Sequence, residues 1–153
     1  MDLRTKRTIR SAIEIRAPLD VVWRVLTDFA AYPDWNPHIK RVVGTPRAGT
    51  RITIHSQPPG GRTVVMRPEV IEWSPPNELR WRGTFISRRL FTGEHGFRVD
   101  TTATGRVRFT QDETFTGLLV PLYARLRMNS TRNGFDQVNE ALRERAEAEA
   151  QAG

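Results

Sequence analysis

The sequence has no cysteine among its 153 residues. This excludes a disulfide framework, a thiolate metal site and a cysteine nucleophile. No apolar run approaches the roughly 18 residues that a membrane-spanning helix needs. The first ten residues are charged and contain no apolar segment of the kind found in secretory signals. We therefore expect a cytoplasmic protein with no integral membrane association.

Histidine is scarce, and the chain has no nucleotide-binding or hydrolase motif. The three histidines are predicted on a loop (His38), on an outward strand face (His55) and on an inward strand face (His95). Side chains placed so differently do not form the cluster that a zinc site needs. GxGxxG, Walker and GxSxG motifs do not occur. We expect no metal and no cofactor.

Acidic residues are outnumbered by basic ones, 17 against 24, which gives a formal net charge of +7. Such an excess raises nucleic acids and anionic membranes as partners. The basic residues are dispersed, however, and alternate with carboxylates on predicted strand faces. The chain also lacks an aromatic-rich RNA-binding signature. We therefore expect no nucleic-acid partner, and either a monomer or a homodimer.

Three predicted strands form the centre of the chain, because their apolar residues alternate with period two. They cover residues 79–85, 91–99 and 107–115. Antiparallel folding about Arg88 sets Trp81 opposite His95. Folding about residue 103 sets His95 opposite Gln111, and Gly93 opposite Glu113. The other face, with Arg82, Glu94 and Asp112, is interpreted as an ordinary solvated charge surface.

Three polar side chains, those of His95, Gln111 and Glu113, fall on the apolar face of this sheet. Burial there disfavours charge, so it lowers the pKa of His95 and raises the pKa of Glu113. Such a pair is able to act as acid and base. Equally, the three groups are able to anchor a ligand or to satisfy one another's hydrogen bonds.

The remaining elements precede and follow these strands. We predict a strand at 8–16, a helix from Ala17 that breaks at 32–37, strands at 39–43, 51–56 and 63–73, and a helix of about seven turns from Leu119 to Leu142. The buried stripe of that helix includes Leu122 and Leu126. It also contains the small residues Ser130, Thr131 and Gly134, which either let the helix lie close to the sheet or leave space beneath it.

This order predicts one α+β domain over residues 1–153, with a core at about 8–145 and a polar tail at 146–153 that frays. Within this order stand several short motifs: IRAPLDVVW from Ile15, LTD from Leu26, WNP from Trp35, LRW from Leu79, GEHGF from Gly93 and ETFTG from Glu113. The order and these motifs together resemble the START-like (SRPBCC) superfamily of polyketide cyclase/dehydrase and lipid-transport-like proteins, and most of all its small single-domain bacterial members.

The resemblance implies a helix-grip fold, in which a seven-stranded antiparallel sheet curves around the long C-terminal helix and encloses a hydrophobic cavity. Two short helices follow the first strand. The superfamily includes ligand carriers, hormone receptors, aromatase/cyclases and Hsp90-activating proteins, so the fold does not select a chemistry.

We derive three hypotheses. The first is binding of a hydrophobic small molecule (aromatic, polyketide-like or lipid-like) in the cavity, without metal. The second is cyclase or dehydratase chemistry with His95 and Glu113 as catalytic residues, and the third is a ligand-free protein-interaction module. The residues expected to line the cavity are Trp35, Trp81, Phe85, Phe91, His95, Phe97, Phe109, Gln111, Glu113, Phe115, Tyr123, Leu126, Ser130, Gly134 and Val138.

Overall fold

The computed structural model describes residues 5–153 and contains an antiparallel sheet with a long C-terminal helix. The α+β prediction is confirmed. The elements are β1 (Thr5–Ile15), α1 (Leu19–Thr27), a 3₁₀ turn (Phe29–Ala31), α2 (Tyr32–Trp35), β2 (Ile39–Val43), β3 (Thr53–Ser56), β4 (Val64–Met66), β5 (Glu69–Ser74), β6 (Glu78–Phe85), β7 (Phe91–Thr101), β8 (Val107–Gly117) and α3 (Val120–Ala152).

The strands form two sheets rather than the single seven-stranded sheet that was predicted. One has the order β1-β8-β7-β6-β5 and the other β2-β3-β4. The predicted strand at 63–73 is two strands, because Pro68 between them has no N–H to continue a ladder. The sheets remain linked there: the Ile52 N–H donates to the Pro68 carbonyl (3.1 Å), and the Val70 N–H to the Thr50 carbonyl (2.8 Å).

The predicted register is right between β6 and β7 and wrong between β7 and β8. Trp81 lies opposite His95, as expected. In the next pair His95 lies opposite Glu113, and Phe97 opposite Gln111, two residues away from the prediction. A shift of two residues preserves which face each side chain occupies. The three polar side chains therefore still share the inner face.

The β7–β8 loop explains the shift. The Thr102 N–H donates to the Arg106 carbonyl (2.6 Å), which centres the hairpin on residue 104 rather than 103. Gly105 supplies the positive φ of 80° within this loop, a conformation that glycine adopts without a steric penalty. Loop geometry, rather than strand composition, sets this pairing.

The outer face of the sheet is not the plain solvated surface that was expected. Asp112 is buried there and makes a bidentate ion pair with Arg80, with N–O distances of 2.9 and 3.1 Å. The guanidinium lies over Gly96, where any Cβ would come within 2.2 Å of Arg80 Nη2. Bidentate, partly buried pairs of this kind are stronger than exposed ones.

The N-terminal helices follow their local sequence signals. α1 begins after Pro18, with Asp20 in its first turn, where an acidic side chain complements the helix dipole. The expected break at 32–37 contains one short helical turn, α2, whose Tyr32 is buried and donates its hydroxyl proton to the Leu26 carbonyl. Trp35, at the end of α2, packs edge-on against Tyr32, with ring centroids 5.0 Å apart.

α3 continues beyond Leu142, the last apolar residue of the predicted helix stripe. The helix continues to Ala152 and buries Ala146 completely. The Arg16 N–H also donates to Glu147 Oε1 (3.0 Å), which ties this last part to the end of β1. No helix among residues 5–153 has the length and apolar character needed to cross a membrane.

The N-terminal half of α3 is covered less than predicted. Leu122 and Leu126 are exposed, because the buried stripe runs through Val120 and Phe135 instead. The space beside the small residues Ser130 and Gly134 is occupied by the β3–β4 loop, and not by the sheet or by a void. The Ser130 hydroxyl donates to the Pro59 carbonyl (3.3 Å), and a Cβ at Gly134 would lie 3.3 Å from Pro59 Cδ.

Candidate functional site

The three inward polar residues of β7 and β8 meet, as the sequence predicted. His95 Nε2 lies 3.0 Å from Gln111 Oε1. His95 Nδ1 lies 3.6 Å from Glu113 Oε2, across the β7–β8 ladder. Both ring nitrogens therefore face a polar group, and the imidazole bridges an amide and a carboxyl group.

Gln111 fixes the tautomer of this imidazole. Its Nε2 donates to the Phe135 carbonyl (3.2 Å) and to Asn139 Oδ1 (2.7 Å). The amide oxygen is then the atom that faces His95 Nε2, so Nε2 must carry the proton and donate it. His95 Nδ1 consequently presents a lone pair to Glu113.

The polar network continues to the surface through residues that were not predicted as part of the site. Asn139 Nδ2 donates to Ser11 Oγ (2.8 Å), which in turn donates to Asp136 Oδ1 (2.5 Å). Asp136 is exposed, so hydrogen bonds lead from solvent to His95. The sequence does hold a signal for two of these residues, because Ser11 interrupts the isoleucines on the inner face of β1 and Asn139 interrupts the apolar stripe of α3.

Burial shifts the two titratable groups in opposite directions, as expected. Desolvation lowers the pKa of His95 to about 4, although the hydrogen bond with Gln111 acts against this shift. Desolvation, followed by repulsion from Asp112, raises the pKa of Glu113 to about 8. The side chains of His95 and Glu113 are 12% and 18% exposed. At pH 7 the site therefore holds a neutral imidazole and a protonated carboxyl group.

Aromatic side chains pack tightly around the imidazole. The His95 ring stacks between Phe97 and Phe135, with centroid distances of 4.3 and 4.8 Å. Trp81 approaches its edge at 5.5 Å. The Glu113 carboxyl group occupies the space beside Gly93, since a Cβ there would lie 2.8 Å from Glu113 Oε1. The space around His95 is thus filled by side chains of the protein.

The predicted lining residues fall into three groups by burial. Trp81, Phe97, Phe109, Gln111, Phe115, Gly134 and Val138 are buried, and Trp35, Phe91, His95, Glu113, Tyr123 and Ser130 are partly buried. Phe91, Phe115 and Tyr123 form a second aromatic cluster with centroid distances between 4.8 and 5.5 Å. Phe85 and Leu126 are 64% and 65% exposed, which corrects their assignment to an enclosed wall.

Two surface depressions lie away from these residues. One, of about 600 Å³, lies between the end of β1 and the β7–β8 loop, beside Ala17 and Arg106. The other, of about 420 Å³, lies along α3 beside Pro37 and Glu140. Neither depression is lined by the predicted ligand-binding residues. The ligand-binding role of those residues therefore stays a prediction.

Comparison with known proteins identifies the family. Residues 6–150 match the family model described as polyketide cyclase / dehydrase and lipid transport. The chain belongs to this family. No curated protein sequence matches it.

Solved structures similar to this family member share its fold at low identity. The di-domain ARO/CYC protein BexL of the BE-7585A biosynthetic pathway has a TM-score of 0.70 and 14% identity; the match covers 97% of this chain and 51% of BexL, so the chain spans about half of that protein. Norcoclaurine synthase of Thalictrum flavum has a TM-score of 0.69 and 13% identity, over 94% and 95% of the two chains. Major latex-like protein 151 of Panax ginseng has a TM-score of 0.72 and 12% identity, and the match covers 95% of this chain and 97% of that protein.

In this family member some apolar residues of the inner sheet faces are exposed. Ile54, which is fully buried, pairs with Met66, so Met66 also belongs to an inner face, yet it is exposed. Phe85, at the end of β6, is likewise an exposed inner-face residue. β4 and β6 come close here, because the Cβ of Pro68, just beyond β4, lies 3.9 Å from the Cβ position of Gly83 in β6. We define the open end as the exposed apolar residues Val64, Met66, Phe85, Leu122 and Leu126.

Proposed function

We propose that the protein binds a hydrophobic small molecule, of an aromatic, polyketide-like or lipid-like class, at the open end. The observation that carries this proposal is that the inner-face residues Met66 and Phe85 are exposed, whereas Ile54 and Trp81 on the same faces are buried. Exposed apolar side chains gathered at one site favour an apolar ligand. Family membership supports the same class of function.

Glu113, on the inner face of β8, also supports the proposal. Its carboxyl group is protonated at pH 7 and remains 18% exposed. A neutral O–H donor beside aromatic rings is suited to a carbonyl or hydroxyl group of an otherwise apolar ligand, since no charge has to be desolvated. We therefore expect a ligand with an uncharged oxygen at its inner end.

The test is titration with an uncharged, environment-sensitive dye and with uncharged aromatic and lipid-like compounds, preceded by native mass spectrometry for co-purified molecules. Leu126→Asp places a charge at the open end, and we expect it to weaken binding at least tenfold, the loss that about 1.4 kcal/mol produces. Val43→Asp is the matched control, because Val43 is also exposed but lies on β2, next to the inward Val42.

Two outcomes would contradict the proposal. One is that Leu126→Asp and Val43→Asp bind the dye as well as the wild type does. The other is that no uncharged compound binds at all. The second outcome would favour the ligand-free interaction module, which the tight packing around His95 also fits.

A second candidate function is cyclase or dehydratase chemistry with His95 and Glu113. The observation that favours it is a neutral imidazole and a protonated carboxyl group at 3.6 Å, with pKa values displaced in opposite directions. If the pair is catalytic, His95→Ala and Glu113→Gln abolish turnover and leave affinity largely unchanged. If both variants lose affinity instead, the pair is an anchor. We favour the anchor, since both His95 ring nitrogens already face protein groups.

A further inference from the structure

We infer that the protein docks onto anionic membrane surfaces through a cationic, apolar surface that borders the open end. This inference rests on the proposed function in one respect: the proposed ligand-binding site at the open end would face the bilayer. Vesicle binding can be measured with no small molecule present, so the two proposals fail separately.

The positive charge of this surface comes from three stretches of the sequence. Residues 57–68, 84–93 and 114–135 contain seven arginines and no aspartate or glutamate. That charge equals the formal net charge of the whole chain, +7. The rest of the chain has 17 basic residues (24 minus 7) and 17 acidic ones, so outside these stretches the charges balance.

The fold brings the three stretches to the same end of the molecule. The Leu118 N–H donates to the Arg89 carbonyl (2.9 Å), which joins the start of α3 to the β6–β7 hairpin. The β3–β4 loop rests on α3, where a Cβ at Gly61 would lie 3.2 Å from Arg127 Nη2. Among residues 5–153, no ion pair within 4.0 Å involves the arginines of these stretches.

Large apolar side chains protrude among these arginines. Ile86 at the tip of the β6–β7 hairpin is 73% exposed, and Leu118 before α3 is 52% exposed. Ile86 also has a φ of 67°, a backbone conformation that is strained for a β-branched residue. Neither packing nor backbone preference accounts for isoleucine there. Insertion into a bilayer interface does.

Charge along α3 sets one orientation. Its first half carries Arg125, Arg127 and Arg132 without an acidic residue, whereas its second half begins with Asp136 and Glu140 and carries further glutamates. The second half also has Arg143 and Arg145, but its five acidic residues leave it net negative. Anionic lipid headgroups therefore attract the first half and repel the second. Nucleic acid fits this surface less well, because exposed isoleucine and leucine gain nothing from a phosphate backbone.

The experiment is cosedimentation with vesicles of phosphatidylcholine, with and without phosphatidylglycerol. We expect binding to the anionic vesicles only, weakening as salt rises. Combined Arg88→Ser and Arg89→Ser should lower the affinity roughly 30-fold, since each basic residue near such a surface contributes about fivefold. The matched control is Arg106→Ser with Arg108→Ser, at the opposite end of β7 and β8, which should change the affinity less than about twofold.

Ile86→Asn combined with Leu118→Ser separates insertion from simple charge attraction. Asparagine tolerates positive φ better than isoleucine does, so the melting temperature should not fall, yet vesicle binding should be lost at unchanged net charge. Retained binding in this variant would overturn the inference. So would the absence of wild-type binding to anionic vesicles, an equal loss in the Arg106 and Arg108 control, or binding only to a soluble anionic amphiphile or an acidic protein.

Discussion

Replacing Glu113 by glutamine should abolish a pH dependence of stability that the wild-type protein shows above pH 6.5. The pKa of Glu113 is about 8 in the folded protein, against an ordinary value of 4.5. Between these values the folded protein holds a proton that the unfolded chain releases. Its free energy of unfolding must therefore fall as pH rises through this range.

His95 determines where this effect can be seen alone. Its pKa is about 4 when folded, against an ordinary 6.5, so the unfolded chain holds the extra proton between those values and stability rises with pH there. The two contributions oppose each other between pH 4.5 and 6.5. Above pH 6.5 only that of Glu113 remains, and at about 1.36 kcal/mol per pH unit the loss by pH 8 is about 2 kcal/mol.

Urea unfolding of the wild type and Glu113→Gln at several pH values from 6.5 to 8 measures this difference. Since glutamine does not titrate, the stability of the wild type relative to the variant should decrease by about 2 kcal/mol across the range. Glu144→Gln, the same change at an exposed position on α3, should keep the wild-type slope. A difference between wild type and Glu113→Gln that stays constant or increases with pH would show that the carboxyl group is ionised at neutrality.

Three further changes test the packing of α3, each by urea unfolding. Phe135→Ala removes a buried ring stacked on His95 and should cost about 3–5 kcal/mol; a loss below about 1 kcal/mol would mean that the ring is not packed there. Asn139→Leu removes one of the two acceptors of the Gln111 amide and the donor to Ser11, and should cost about 1–3 kcal/mol; an unchanged midpoint would contradict the network. Gly134→Leu forces Pro59 away from the helix, so trypsin should cleave after Arg62 faster than in the wild type; equal rates would count against the contact.

Local patterns in the sequence predicted most of the fold, because they indicate whether a segment is a strand or a helix and which residues lie on the same face of it. Alternation predicted the strand at 8–16, and its alternating residues Ile9 and Ile15 are both buried. Pairing and length depend on partners that periodicity does not describe. The β7–β8 register is set by a loop hydrogen bond at Thr102, and Ala146 keeps the end of α3 helical by being buried. Neither is visible in strand or helix patterns.

The polar site shows the same division. The alternation of the strands was enough to place His95, Gln111 and Glu113 on one face. Burial then gave the direction of the pKa shifts of His95 and Glu113. Asn139 was not predicted, because an amide in a long helix is typical of polar surface, and its partners Ser11 and Gln111 lie on two other elements, β1 and β8. Phe85 was assigned to an enclosed wall because alternation indicates which face a residue occupies but not how far the covering helix reaches.

The short strand β4 has a consequence for the behaviour of the protein in concentrated solution. It is the outer strand of its sheet and exposes three consecutive apolar residues, Val64, Val65 and Met66. Unpaired strand edges of this kind template intermolecular β-addition and aggregation. Arg62, Arg67 and Pro68 bracket the strand and act as gatekeepers, because charge repels an identical chain and proline cannot extend the ladder. The arginines beside the open end therefore also help to keep the protein dispersed.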